Sequence, residues 1–188
     1  MGLELLTPPA SEPVSLVEAK AHLRVDHDDE DAAIARLITA ARESCERITN
    51  RAFIAQSWRL WCDAWPDCVP RVISIPKPPL MSLTSVVAYD RSGAATMLSS
   101  DVIIVDSAAV PGRLVLADTA VLPVDLRQAN AIAVSFQAGY GANASDVPAA
   151  IRMAILSLIA HLYEARGESA VPPPNAVAQL GPFRVIML

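Results

Sequence analysis

The sequence predicts an α+β fold, built as a small helical core with an all-β segment inserted into it and an extended C-terminal tail. Three observations carry that prediction. Apolar residues recur at helical spacing near both ends of the chain, at residues 15–50 and 147–166. Between them the period changes to two, in short runs separated by Pro and Gly. After the last helical stretch, Pro172, Pro173 and Pro174 interrupt any regular pattern. The expected division is therefore 1–52 and 146–168 for the helical core, 53–145 for the β insert, and 169–188 for the arm.

The first helix starts at a capping box, Ser15 with Glu18, and carries Leu16, Ala19 and Leu23 on one stripe. Asp26, Asp28, Asp29, Glu30 and Asp31 precede a longer amphipathic helix over 29–50, with Ile34, Leu37, Ile38, Ala41, Cys45 and Ile48 on one face. The acids are expected in its first turn, where the helix dipole favours negative charge. Alternation then marks strands. Ile54, Trp58, Leu60 and Cys62 share one face, and 71–75 follows after Pro66 and Pro70. Pro76, Pro78 and Pro79 are expected to prevent pairing for several residues. Strands at 85–90 and 94–98 flank the turn Arg91-Ser92-Gly93. Others fall at 101–106, 113–117 and 131–137. Short strands at this spacing suggest a sandwich or barrel-like layer. Asp146 then caps a helix with Pro148 in its first turn, Ile151, Ile155, Leu158, Ile159 and Leu162 on its stripe, and Gly167 as its stop.

The chain's 188 residues suffice for a core without disulfides or metals. Hydrophobic residues make up 53% and charged residues 19%, which excludes disorder for the whole. No apolar run is long enough to span a bilayer, and the N-terminus lacks the basic start of a signal peptide, so the expectation is a soluble protein with no membrane partner. A net charge of −5, with two lysines among fifteen basic residues, is a poor match to a domain that grips phosphates. Three cysteines without a CxxC indicate neither a disulfide framework nor a zinc knuckle.

Several features imitate chemistry. Gly139-Tyr140-Gly141-Ala142-Asn143-Ala144 fits GxGxxG/A between a strand and a helix, but no βα unit follows, so a sharp turn explains it better than a dinucleotide. His22 and His27 are badly spaced for two metal ligands on one face, and the acids lack EF-hand order. His161 lies among helix apolar residues. Trp58, Trp61 and Trp65 could stack bases, although core or interface placement suits their pattern better. Asn143-Ala144-Ser145 matches a glycosylation acceptor that has no meaning without secretion. No catalytic, cofactor or metal residues are therefore assigned.

Residues 14–24 (VSLVEAKAHLR), 28–34 (DDEDAAI), 40–46 (AARESCE) and Asn50-Arg51 resemble the N-terminal signature of the phage head–tail connector (adaptor) family. IPKPPL at 75–80 with SVVAY at 85–89 is similar to its proline-centred segment. FQAGYG at 136–141, Val147-Pro148 and HLYEAR at 161–166 resemble its closing strand and final helix. The resemblance implies a non-enzymatic ring subunit of a tailed phage, prophage or gene transfer agent, made in the bacterial cytoplasm and located in the neck of the particle. Its implied partners are the portal protein, a downstream neck or tail protein, and further copies of itself, commonly twelve, around a channel that DNA passes without specific binding. Another neck component, such as a stopper or tail-completion protein, is the alternative, and a small nucleotide-binding enzyme a more distant one. Leu180, Phe183, Arg184, Val185, Ile186, Met187 and Leu188 form an apolar tip expected to contact the portal or the neighbouring subunit.

Overall fold

The computed structural model describes residues 1–165 and 171–186. The chain divides into two compact units: one comprises Met1–Pro8 and Ala55–Gly139, the other Pro9–Ile54 and Tyr140–Ile186.

The first unit is all β. Its five-stranded antiparallel sheet has the order β1-β2-β8-β4-β5, from β1 (Gly2–Thr7), β2 (Gln56–Cys62), β4 (Leu80–Tyr89), β5 (Ala95–Met97) and β8 (Ile132–Ala138). A three-stranded sheet, β3-β7-β6, is formed by β3 (Arg71–Ile75), β6 (Ile103–Asp106) and β7 (Gly112–Leu116). Neither sheet closes on itself, so the barrel-like alternative is not what forms. Central β8 is buried along most of its length, and Val134 and Phe136 pair with Leu60 and Trp58 on one side and with Val86 and Leu83 on the other. In the smaller sheet Ile73, Ile75, Leu114 and Leu116 are buried. A Cβ on Gly112 would lie 2.7 Å from that of Leu80, so the two sheets approach there because glycine leaves room.

Two strand expectations need correction. β1 was not among the expected strands, yet it pairs with β2 from Gly2↔Trp61 to Thr7↔Ser57, with a bulge between Leu5 and Thr7. The prolines at 76–79 do interrupt the strands, as expected, but the next strand starts sooner than the expected residue 85. β4 begins directly at Leu80, and the Pro79 carbonyl accepts the Gly139 N–H at 2.9 Å. Proline lacks the donor but keeps its acceptor, and here the acceptor is what the ladder uses.

The second unit is helical: α1 (Leu16–Leu23), α2 (Asp31–Thr49), α3 (Ala149–Ala165) and α4 (Pro174–Leu180). The capping box on α1 forms as expected. Ile34, Ile38, Ala41 and Cys45 of α2 meet Ile151, Ala154, Ile155, Leu158 and Ile159 of α3 in one buried cluster. Of the acidic run, only Asp31 lies in the first turn of α2. Asp28 and Asp31 instead grip Lys20, at 2.6 and 2.7 Å, and Glu30 accepts the Tyr163 hydroxyl. Asp146 caps a 3-10 turn (Ala144–Asp146) with Asn143, and the first amides of α3 reach the Pro148 carbonyl. The expected stop at Gly167 lies outside the described residues.

The tail is not an extended arm. α4 starts with Pro174 at its first position, where a missing N–H costs nothing. Ala176 and Leu180, four residues apart, are buried, Leu180 completely and within the helical cluster. A 3-10 turn (Gly181–Phe183) follows, and the Val185 N–H donates to the Thr49 carbonyl at 3.0 Å. The tail thus folds back on the helical unit.

Candidate assembly surfaces

Each place where the sequence hinted at chemistry is occupied by the fold itself. In the glycine-rich turn, a Cβ on Gly141 would come within 2.2 Å of the Asp146 carboxylate, which in turn accepts the Asn143 N–H at 2.9 Å. Asp146 puts a negative charge where a nucleotide phosphate would have to lie. His27 sits 3.8 Å from Asp29, and the neighbouring acids Asp28 and Asp31 are committed to Lys20. Among the described residues, no three His, Cys, Asp or Glu side chains gather as metal ligands. Cys45 is buried, and burial together with nearby Glu46 pushes its thiol up to about 12, where it is an unreactive apolar filler.

The tryptophans divide. Trp58 is half-buried between Leu5 and Phe136 in the sheet register, and its buried indole N–H has no hydrogen bond among the described residues. Trp61 lies on the opposite face, with Tyr89 at 6.0 Å and the guanidinium groups of Arg59 and Arg127 at 5.4 and 5.6 Å. Its indole N–H donates to Glu4 at 3.1 Å. A ring with two guanidinium groups near its centroid and its N–H tied to a carboxylate is a packed surface cluster rather than an open stacking platform. Trp65 donates to the Pro123 carbonyl at 3.0 Å.

The most deeply buried polar network supports the helical unit. Arg42, 6% exposed, donates to Glu12 and Glu46 at 2.8 Å each, and Glu46 also accepts the Phe53 N–H at 2.9 Å. Burial alone would lower the Arg42 pKa, but the two carboxylates outweigh it and hold it above its ordinary value. The network fixes the end of α2 against the chain leaving it. From there Arg51 donates to the Phe183 carbonyl at 2.6 Å and so anchors the tail tip.

Of the residues expected at a partner contact, the structure separates core from surface. Leu180 is internal. Phe183 and Val185 are half-buried, while Arg184 and Ile186 are exposed, Ile186 at 79%. Met187 and Leu188 lie outside the described residues. A second exposed apolar region, which the sequence pattern did not single out, is a groove of about 630 Å³ in the β unit, beside β4 and β6.

With this geometry in place, comparison with known proteins defines the class. Residues 13–100 match the family described as phage gp6-like head-tail connector protein. The whole chain aligns with a subunit from the neck of an empty gene transfer agent (GTA) particle, with a TM-score of 0.82 and 26% identity over 100% of this chain and 97% of that one. It aligns equally fully with a chain from the virion of a native gene transfer agent particle, at 0.83 and 25%, covering 97% of that chain. A chain from the native neck computed with C12 symmetry gives 0.74 and 26%, again over 100% and 97%. No curated relative matches. The family and the solved structures that the chain resembles are structural proteins of virion necks, not enzymes.

Proposed function

We propose that the chain is a ring subunit of a phage-type neck, one copy per position beneath the portal, joining it to the downstream tail protein and extending the DNA channel. The observation that carries this reading is the full-length similarity to neck subunits of gene transfer agent particles, whose necks were computed with C6 and C12 symmetry. The C12 symmetry of the latter supports a ring of twelve copies. A charge of −5 per subunit suits a wall along which DNA slides, because phosphates meet few cations that could displace their counterions. The contact to the portal or the neighbouring subunit runs through Phe183, Arg184, Val185 and Ile186, and on through Met187 and Leu188. The support is a tip on which Arg184 and Ile186 are exposed beside the half-buried Phe183 and Val185, held in place by Arg51. Electron microscopy of neck-containing particles should show this chain with twelvefold rotational symmetry directly below the portal. A single asymmetric copy, or a location in the tail tube, contradicts the proposal.

A further inference from the structure

We infer that the five-stranded sheet continues from one copy of this chain to the next, β1 of each subunit pairing along the free half of β4 of its neighbour. The inference rests on the ring reading above and names the surface that closes the ring. All six residues of β1 are exposed, including Leu3 at 39%, Leu5 at 44% and Leu6 at 39%. Among the described residues β1 is the sheet's outermost strand, and no strand pairs with the other side of its backbone. At the other edge, β5 covers only Val87–Tyr89 of β4, and the Leu98 N–H reaches Val86 beyond it. Among the described residues no strand pairs with 80–85 of β4 on that side. Six open residues on one edge match six on the other. Such edges are normally blunted with charge, proline or bulges, and bulges do fall here, between Leu5 and Thr7 in β1 and at Met81 and Thr84 in β4. Here the two stretches contain no proline and one charge, Glu4, which is already engaged with Arg59 and Trp61.

Side-chain alternation agrees with the pairing. Leu3 and Leu5 lie opposite Leu60 and Trp58, on the face that continues through Val134 and Phe136 to Val86 and Leu83. The 630 Å³ groove opens beside the free part of β4, and Leu83, Val86, Met97, Leu98, Ile103 and Val105 line it together with four serines and Thr84. An incoming β1 would place its two inward leucines there. Strand direction agrees as well. Three antiparallel steps lead from β1 to β4, so the two strands run in opposite directions. In a ring whose axis lies along the strands, every β1 points the same way and meets its neighbour's β4 antiparallel, as in the rest of the sheet. The contact joins unlike edges, which is the kind that closes rings.

Cysteine cross-linking tests this. Glu4, Arg59, Ser135 and Ser85 form one cross-strand row on the outer face. Within a chain the ends of that row are three strand spacings apart, roughly 14 Å, twice the roughly 7 Å that a disulfide tolerates between Cα atoms. In a Cys68→Ser background, Glu4→Cys with Ser82→Cys or Ser85→Cys should give, on oxidation of purified full-length protein, a covalent ladder of dimers, trimers and larger species up to the ring. Either cysteine alone should stop at dimers. Independently, Thr84→Pro with an unchanged circular dichroism spectrum should abolish rings seen by native mass spectrometry. Wild-type rings that give no ladder, or rings that survive Thr84→Pro, overturn the strand-exchange contact while the ring reading stands. Absence of wild-type rings both in solution and in particles overturns the ring reading itself.

Discussion

At the scale of single residues, Arg42 and Glu43 are adjacent in sequence and make opposite demands on the fold. Arg42 is almost fully buried between Glu12 and Glu46, whereas Glu43 is more than half exposed and 3.6 Å from the same guanidinium. Removing one member of a buried pair leaves an uncompensated charge, at a cost of about 3–5 kcal/mol, while a surface ion pair contributes about 1 kcal/mol at most. Arg42→Met should therefore lower the urea unfolding midpoint strongly and Glu43→Ala hardly at all. Equal effects would place the two side chains in the same environment and contradict the structure. Acid should act on a different set. Glu18 is held below its ordinary pKa first by hydrogen bonds from Ser15 and then by Arg152, Asp106 by Arg113 and the Ala109 amide, and Asp90 by Ser92 and the Ala94 amide. A depressed folded pKa means that the unfolded state binds protons first as pH falls. Stability should be level above about pH 5 and decline progressively toward pH 2. Urea midpoints measured across that window, with Ser15→Ala and Asp106→Asn flattening the decline, check the assignment.

At the scale of elements, α4 shows what periodicity misses. Three consecutive prolines read as a barrier, but only the last enters the helix, and it does so at the one position that welcomes it. The remaining signal, Ala176 and Leu180, is two residues long and too sparse to stand out as a stripe. β1 was hidden for a related reason: a six-residue edge strand with every residue exposed shows no buried alternation. The long elements were legible because their burial is one-sided. Ile34, Ile38, Ala41 and Cys45 repeat at three and four, and Val134 and Phe136 alternate with less buried neighbours. The partner-contact residues were only partly legible, since nothing in the pattern of 180–188 separates the internal Leu180 from the exposed Ile186. Leu180→Ala should cost about 2–5 kcal/mol, as deletion of a buried leucine does, and Ile186→Ala almost nothing. A chain ending at Asn175 should melt well below the full-length protein, in contrast to what a projecting arm would give. Differential scanning calorimetry of the three variants decides whether α4 is part of the core.

At the scale of the whole molecule, the chain passes between its two units three times, after Pro8, Ile54 and Gly139, yet each unit carries its own buried cluster. The helical unit is interrupted in sequence but not in space. Where the β segment leaves and returns, the Tyr140 N–H donates to the Phe53 carbonyl at 2.9 Å, and Ile54 bridges Gly141. The two cut ends therefore lie side by side. Because that bridge is parallel, a replacement link has to turn back on itself, which about five Gly/Ser residues can do. A chain made of residues 9–54, such a link and residues 140–188 keeps α1 to α4, the Arg42 network and the Arg51 contact to Phe183, every one of which is internal to this unit. It loses no residue of the helical cluster. It should fold with a cooperative thermal transition and a helix-dominated circular dichroism spectrum. It should also fail to form rings, since both strand edges proposed to join copies have been removed, while retaining the tip at 183–186 proposed to meet the portal. If the shortened chain does not fold, the helical unit draws its stability from the β segment. If it folds and still forms rings, the helical surfaces, not the sheet edges, hold neighbouring subunits together.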